Sequence, residues 1–245
     1  MFRVLDSVDS TNNYAMELVQ DGLANHGDAW FAKEQFSGKG QRGKIWKSTA
    51  GMNLILSIVI TPTPFFQQHP ALFNMAVASL VADFLQNETK EKFCIKWPND
   101  LYWNDRKAGG ILIENRFSGP EWKWAIIGIG INVKQMQFPS SLPNPVSLCQ
   151  IKSREWDPEA LARKLYSQLI KGLEQKFLAK TVLSAYNNKL YKKGQEVGLK
   201  KGNTRFTTTI GHIDGLGQLH THDVMDRVFA FGEVEWVIRP HSLIR

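Results

Sequence analysis

Apolar and polar positions along the chain predict short strands and a few helices in mixed order, followed by a β-rich tail. Residues 2–5 read as a strand. Ser10 and Thr11 precede a helical pattern with Tyr14, Ala15, Leu18 and Val19 on one face, closed by Asp21 and Gly22. Residues 29–34 read as a strand, and residues 53–60, rich in Leu, Ile and Val and broken by Ser57, as a buried one. Pro70 opens a helix over 70–86 whose apolar residues go nearly all round, so burial on most sides is expected. Residues 122–127 run as a strand into Gly128 and Gly130, and residues 138–146 read as a loop. Asp157 and Pro158 start a long helix with Leu161, Leu165, Leu169, Leu173 and Phe177 on one face, and residues 181–190 a shorter one. From Lys192 onward, runs at 196–199, 205–213, 218–222, 228–231 and 233–238 alternate with glycine turns, which predicts a small β-barrel.

Chemistry concentrates in residues 93–114, FCIKWPNDLYWNDRKAGGILIE. An apolar run ends at Lys96-Trp97-Pro98, and Pro98 cannot donate to a ladder, so it belongs at a sheet edge or a strand end. Asn99-Asp100 suits a turn, residues 101–103 a short strand, Asn104-Asp105 a second turn, and residues 109–114 the returning strand. Gly109 and Gly110 weaken that strand, as glycines do where a ligand or another backbone comes close. Lys107 at its mouth could hold a carboxylate or a phosphate; the plain alternative is a solvated lysine.

The segment 35–46, QFSGKGQRGKIW, fits G-x-G-x-x-G through Gly38, Gly40 and Gly43 and nearly fits a P-loop, with Ile45 where Ser or Thr is needed. Both motifs require a helix immediately afterwards. Residues 45–51 have no helical period, so neither motif applies. What remains is a glycine-bearing loop able to bring Lys39, Arg42 and Lys44 onto an anion and to order around it. Trp46 is either core or a stacking platform. Ser10 and Thr11 are either a plain helix cap or a polar cradle.

The chain has 245 residues, room for one large domain or a large one plus a small one. A formal net charge of +7 favours anionic partners without choosing among them. Cys94 and Cys149 form no C-x-x-C pair and read as reduced thiols of a cytoplasmic protein. No run is long enough to span a bilayer, and the first residues lack a signal pattern. His212, His220 and His222 read as surface histidines, since a metal site needs more ligands in ordered spacing.

The order of these motifs resembles the bacterial biotin–protein ligases: Ser10-Thr11-Asn12, Gln35 with G-K-G-Q-R-G-K, K-W-P-N-D, K-A-G-G-I-L-I-E, G-I-G-I-N-V, then a terminal β domain. The resemblance implies an α+β fold. Residues 1–191 would form a catalytic domain like that of class II aminoacyl-tRNA synthetases, a mixed sheet with helices, and residues 192–245 a small SH3-like barrel. It implies ATP-dependent joining of biotin to a lysine of the biotin carboxyl carrier protein of acetyl-CoA carboxylase or a related carboxylase. The route runs through biotinyl-5′-AMP, and Mg²⁺ enters with ATP. Ser10, Thr11, Asn12 and Gln35 would border biotin, with Gly38, Lys39, Gly40 and Gln41 in the loop above it. Lys107, beside Gly110, would neutralise the biotin carboxylate and the α-phosphate, and Arg42 and Lys44 would meet phosphates. Lys107 and Arg42 would be the catalytic cations. Trp46, Asn99, Asp100 and Asn132 would serve the nucleotide or its metal.

The loop departs from the family's G-R-G-R-R-G-R at Lys39, Gln41 and Lys44: lysine loses the planar fork and Gln41 the charge. Nine residues precede Ser10, too few for the winged-helix domain of bifunctional members, so a ligase without DNA-binding repressor function is expected. A homodimer stays open. A lipoate–protein ligase and a non-catalytic nucleic-acid-binding module are the rival readings, with a catalytically dead carrier-binding homologue a third only if Gln41 disables the loop. The first would need different loop motifs, and the second lacks any helix-turn-helix or aromatic-basic sheet motif.

Overall fold

The structure, a computed structural model describing residues 1–238, opens with β1 (Phe2–Val8), α1 (Thr11–Gln20) and β2 (Ala29–Gln35). The two strands pair in parallel, which needs a crossover, and α1 supplies it. β3 (Asn53–Ile60), α2 (Pro64–Gln68), α3 (Pro70–Thr89), β4 (Phe93–Lys96), β5 (Asp100–Trp103), β6 (Arg106–Ser118) and β7 (Glu121–Asn132) follow. The seven strands form one mixed sheet in the order β1-β2-β3-β7-β6-β5-β4, antiparallel from β2 onward. α4 (Leu148–Lys152), α5 (Pro158–Leu173) and α6 (Ala179–Asn188) lead to β8 (Glu196–Lys201), β9 (Thr204–Ile213), β10 (Leu219–His222), β11 (Asp226–Phe229) and β12 (Glu235–Trp236). These form a second, antiparallel sheet in the order β11-β10-β9-β8-β12.

Strand parity decides what each face does. Leu54, Leu56, Ile58 and Ile60 of β3 join the main core, to which α3 and α5 contribute Phe73, Val77, Val81, Leu161 and Leu165. α3 is buried nearly all round because it packs on α5, α6 and β4 at once. The opposite parity of β3 carries Ser57 and Val59 toward α1, where Ala15, Val19, Trp30, Val59 and Ile126 make a smaller cluster. α1 has only 10 residues, too few to cover that whole face, and the site lies on the part it leaves.

Several boundaries differ from the sequence expectation. Asp100 belongs to β5, and the turn before it is Trp97–Asn99 with a cis Trp97–Pro98 peptide. β6 begins at Arg106, so Lys107 sits inside a strand instead of at a turn. The long helix stops at Leu173, leaving Phe177 beyond it packed on Phe66. α2 and α4, five residues each, are too short to show a period. The tail is a five-stranded sheet, with β11 and β12 displaced by two residues or shortened relative to expectation. Residues 239–245 of the expected second domain lie outside the described residues. His212 and His220 stack with their ring centres 4.4 Å apart, and His220 Nε2 lies 2.8 Å from Asp214 Oδ2.

Leu56 is fully buried at the middle of β3. Leu56→Ala should lower the unfolding free energy by about 2–5 kcal/mol, the range for a large-to-small core change, read from urea titration.

Candidate active site

Side-chain parity places Ser57 on β3, Gly128 and Gly130 on β7, and Gly110 and Glu114 on β6 on one face, through the pairs Ser57–Gly128, Gly110–Gly130 and Glu114–Ile126. Glycine at three of these positions leaves a floor of bare backbone. A Cβ at Gly128 would fall 2.3 Å from Asn12 Oδ1, and one at Gly130 would fall 2.5 Å from Trp46 Cε2. The glycines therefore let α1 and the Trp46 indole lie directly on the sheet.

At one end of the floor the start of α1 meets a buried set of uncharged polar groups. Ser10 is the N-cap, its hydroxyl accepting from Asn13 N. Thr11 donates its backbone N–H to Gln35 Oε1 at 2.8 Å. Ser57 Oγ lies 2.8 Å from Thr11 Oγ1 and 2.6 Å from Asn12 Oδ1. Asn12 Nδ2 donates to Glu114 Oε2 at 2.7 Å. Gln35 Nε2, held against Gly38, donates to none of the described residues, so the cluster keeps donor capacity to offer.

At the other end are ammonium groups. Lys107 Nζ lies 2.6 Å from Asp100 Oδ1 and 5.9 Å from the Trp46 ring centre. A bulge aims it: Leu101 pairs with Gly109 but Tyr102 with Lys107, so Ala108 is the extra residue. The backbone of Lys107 is fixed from the 144–146 segment, accepting Val146 N–H at 2.9 Å and donating to Asn144 O at 2.7 Å. Asn132 Nδ2 reinforces this join by donating to Val146 O at 3.2 Å and Lys107 O at 3.4 Å. Asn99 is likewise tied to backbone, its side-chain amide donating to Ile111 O while its backbone carbonyl accepts from Ile111 N. These two asparagines shape the strand that presents Lys107.

The basic loop is folded on itself. Trp46 N donates to Gly38 O at 2.8 Å and Gly40 N to Lys44 O at 2.7 Å, with a 3₁₀ turn over Gln41–Gly43 at the tip. Lys39 Nζ reaches Glu114 Oε1 at 3.6 Å. Arg42, at φ 56°, points elsewhere and donates to Gly232 O of the second sheet at 3.1 Å. Of the sequence candidates, Ser10, Thr11, Asn12, Gln35, Gly38, Lys39, Trp46, Asp100, Lys107 and Gly110 therefore gather on the floor or its rim. Gln41 and Arg42 at the loop tip do not join them.

Sequence reading missed Ser57, Glu114 and Lys96 as parts of this site, whereas Gly128 and Gly130 read as glycines implying a close approach, which Asn12 and Trp46 make. A serine breaking an apolar strand was the available signal. Lys96 gave none. Its side chain is only 11% exposed, 3.8 Å from Asp100 Oδ2, and lies 5.4 Å from the ring centres of both Tyr102 and Trp236. Burial pushes its ammonium down to about 8; Asp100 pulls it up, while Lys107 and Lys44 push it down. Burial, with Asp100 adding to it, raises the Tyr102 phenol well above its ordinary range.

A glycine-floored face with hydrogen-bonding side chains and the Glu114 carboxylate at one end and ammonium groups at the other offers a small ligand polar partners at both ends. The chain belongs to the biotin/lipoate A/B protein ligase family, whose model matches residues 4–132. It is 34% identical over 176 residues to the bifunctional ligase/repressor BirA of Escherichia coli, covering 70% of this chain and 53% of that protein. It is 39% identical over 132 residues to the biotin–[acetyl-CoA-carboxylase] ligase of Paracoccus denitrificans, covering 53% of each. The chain thus spans about half the length of these curated relatives. Among solved structures, the biotin protein ligase of Aquifex aeolicus in complex with biotin and ATP superposes with a TM-score of 0.79 at 25% identity, covering 97% of this chain and 99% of that one. Among the described residues, no helix is long and apolar enough to cross a membrane.

A buried charged lysine opposes folding, and the fall from 10.5 to about 8 corresponds to ~3 kcal/mol. Because the folded value is the lower one, the penalty is full below pH 8 and fades as pH rises toward 10.5. Lys96→Met removes that charge while Asp100 keeps Lys107 as its partner, so the variant should stabilise the fold at pH 7 by up to ~3 kcal/mol, with the gain shrinking between pH 8 and 10.5. Urea titrations at pH 7, 8.5 and 10 would check this.

Proposed function

We propose that the chain is a biotin–protein ligase, which activates biotin with ATP and passes it to a lysine of a carrier domain of a biotin-dependent carboxylase. One observation carries this reading: the polarity of the trough. Biotin is a fused ring bearing a urea, with a carboxylate on an aliphatic tail. The urea needs both donors and acceptors, which Gln35, Thr11 and Ser57 provide, and the carboxylate needs a cation, which Lys107 provides. Lipoate carries a dithiolane ring without such groups and would leave this buried cluster unpaired, at a cost. The names of the relatives agree with this reading.

Activation joins two anions. The biotin carboxylate oxygen forms a bond to the α-phosphorus of ATP, the α–β bridging bond breaks, and pyrophosphate leaves with that electron pair. Lys107 offsets charge on the carboxylate and the α-phosphate, while Lys44, and Arg42 once the loop turns inward, meet the other phosphates. Mg²⁺, which is held mainly by phosphate oxygens and water, would supply further charge neutralisation. The mixed anhydride is prone to hydrolysis, so the loop over 38–46, with Gly38, Lys39, Gly40 and Gln41, closes on it and excludes water. Trp46, which lies against Gly130 with its ring centre 5.9 Å from the Lys107 ammonium, supplies an aromatic face for the nucleotide. Asn99 and Asn132 act on the nucleotide by holding the strand that carries Lys107, while Asp100 is the partner Lys107 keeps until a ligand arrives. A neutral carrier lysine then attacks the acyl carbon, sheds a proton, and AMP departs.

We extend the reading to architecture. Residues 1–191 form a catalytic domain of the class II aminoacyl-tRNA synthetase type, supported by a largely antiparallel sheet flanked by helices. The described part of the second region, residues 192–238, forms an SH3-like domain, supported by the short antiparallel strands from Glu196. The enzyme acts in the cytoplasm, where Cys94 and Cys149, which form no disulfide, would stay reduced.

Lys107→Ala should cut biotin-dependent ATP–pyrophosphate exchange about a hundred-fold or more, the scale of losing a preorganised electrostatic group. Near-normal exchange in that variant would remove Lys107 from the mechanism. If lipoate supports exchange and biotin does not, the acid assignment is wrong. Residues 35–46 should become resistant to trypsin when biotin and ATP are added together, and equal cleavage with and without them would count against loop closure.

A further inference from the structure

In this structure the charge of Lys107 is already engaged. Asp100 Oδ1 lies 2.6 Å from it, so an acid bound at Lys107 would have to share that ammonium with a carboxylate. Asp100 Oδ2 faces a second ammonium, Lys96, at 3.8 Å, beyond hydrogen-bond distance. Lys96 is 9% exposed and makes no hydrogen bond with the described residues, although an ammonium has three donors. It cannot easily swing out, because the rings of Tyr102 and Trp236 hold it. Trp236 comes from β12, so the second sheet sets where this ammonium stands.

We propose that Lys96 is a positioning residue that receives the Asp100 carboxylate when an acid-bearing ligand takes Lys107. The proposal rests on the ligase reading of the site. Asp100 rotates about its side chain, the gap to Lys96 closes by about 1 Å to the ~2.8 Å of a charge-assisted hydrogen bond, and Lys107 turns its charge to the ligand carboxylate. No bond or proton is transferred; one carboxylate changes partners. The arrangement keeps Lys107 paired and fixed while the site is empty, and it keeps Asp100 from repelling the acid once bound. Lys96 contributes without touching the ligand.

The test is biotin binding by calorimetry, which needs no turnover, with the full chain, Lys96→Met, Lys96→Arg, Asp100→Asn and the Lys96→Met/Asp100→Asn double variant. Lys96→Met should weaken biotin binding about ten- to a hundred-fold, since it leaves Asp100 with no second partner. Lys96→Arg should recover most of that loss, because the charge returns. Asp100→Asn should bind biotin at least as tightly as the parent, and adding Lys96→Met to it should change the affinity by less than about two-fold. Unfolding curves show whether each variant is folded. An equal Lys96→Met loss in both backgrounds would make Lys96 a direct ligand contact or a structural residue, and the hand-off would be wrong. Loss of binding in Asp100→Asn would also overturn it, since Asp100 would then support Lys107 instead of competing for it. If the unmodified chain binds no biotin, the ligase reading itself falls, an outcome distinct from both of these.

Discussion

The ion pair between Lys107 and Asp100 is the constraint around which the catalytic face is built. Its two members sit on neighbouring strands, and regular pairing would set Lys107 one residue out of place. The bulge at Ala108 corrects this and leaves Lys107 paired with Tyr102 on one side, while on the other side β7 has ended and offers no hydrogen bonds. The 144–146 segment supplies them instead, and Asn132 stitches that segment to the strand. An ammonium fixed in this way has already lost its freedom before any ligand arrives, so little reorganisation remains when charge must be met. With Lys44 and Lys96 close by, cations outnumber the one carboxylate among them. An anion is what relieves that excess.

The floor of the trough shows the conflict between stability and use. Glycine inside a strand costs roughly 0.5–1 kcal/mol relative to alanine, and β6 and β7 carry Gly109, Gly110, Gly128 and Gly130. Three of the four have no room for a Cβ against their present neighbours. Gly109 faces Gly130 O, Gly128 faces Asn12, and Gly130 faces Trp46. Gly110 differs: its missing Cβ would meet Asp100 and Lys107 only at 3.5–3.6 Å. The fold does not need glycine there for packing, and the bare backbone stands beside the ammonium where the acid group would lie.

Much of the fold was legible because periodicity reports burial directly. The residue range of β3 follows from its apolar run, the cap at Ser10 from its hydroxyl, and the start of α5 from Asp157-Pro158. What was not legible depends on pairing. A bulge is a property of two strands in register, so nothing in residues 106–110 alone announces it. Ser57 read as an interruption because parity against β7 was needed to see that it faces Gly128 and α1. Asn99 and Asn132 are motif residues whose amides serve backbone carbonyls here, a use that spacing cannot separate from ligand contact. Lys96 belongs to the same motif, yet its burial depends on Trp236, some 140 positions away in sequence.

That distance in sequence bears on the role of the second sheet. Trp97 Nε1 donates to Gly217 O at 2.9 Å, Asn187 bonds both the N–H and the carbonyl of Ile213, and Trp236 covers Lys96. Arg42 of the basic loop donates to Gly232 O. The second sheet therefore touches the K-W-P-N-D turn and the loop tip together. Among the described residues, two basic side chains of the loop reach the rest of the chain, Arg42 on Gly232 O and Lys39 on Glu114 at 3.6 Å, and neither makes a two-bond fork. Arginine at position 39 could grip Glu114 with two parallel bonds, whereas lysine makes a single point contact. Exposed single contacts of this kind are worth about 0–1 kcal/mol. A loop so held can leave its resting place for a polyanion at little cost, and the lysine substitutions in it favour exchange of partners over tight retention.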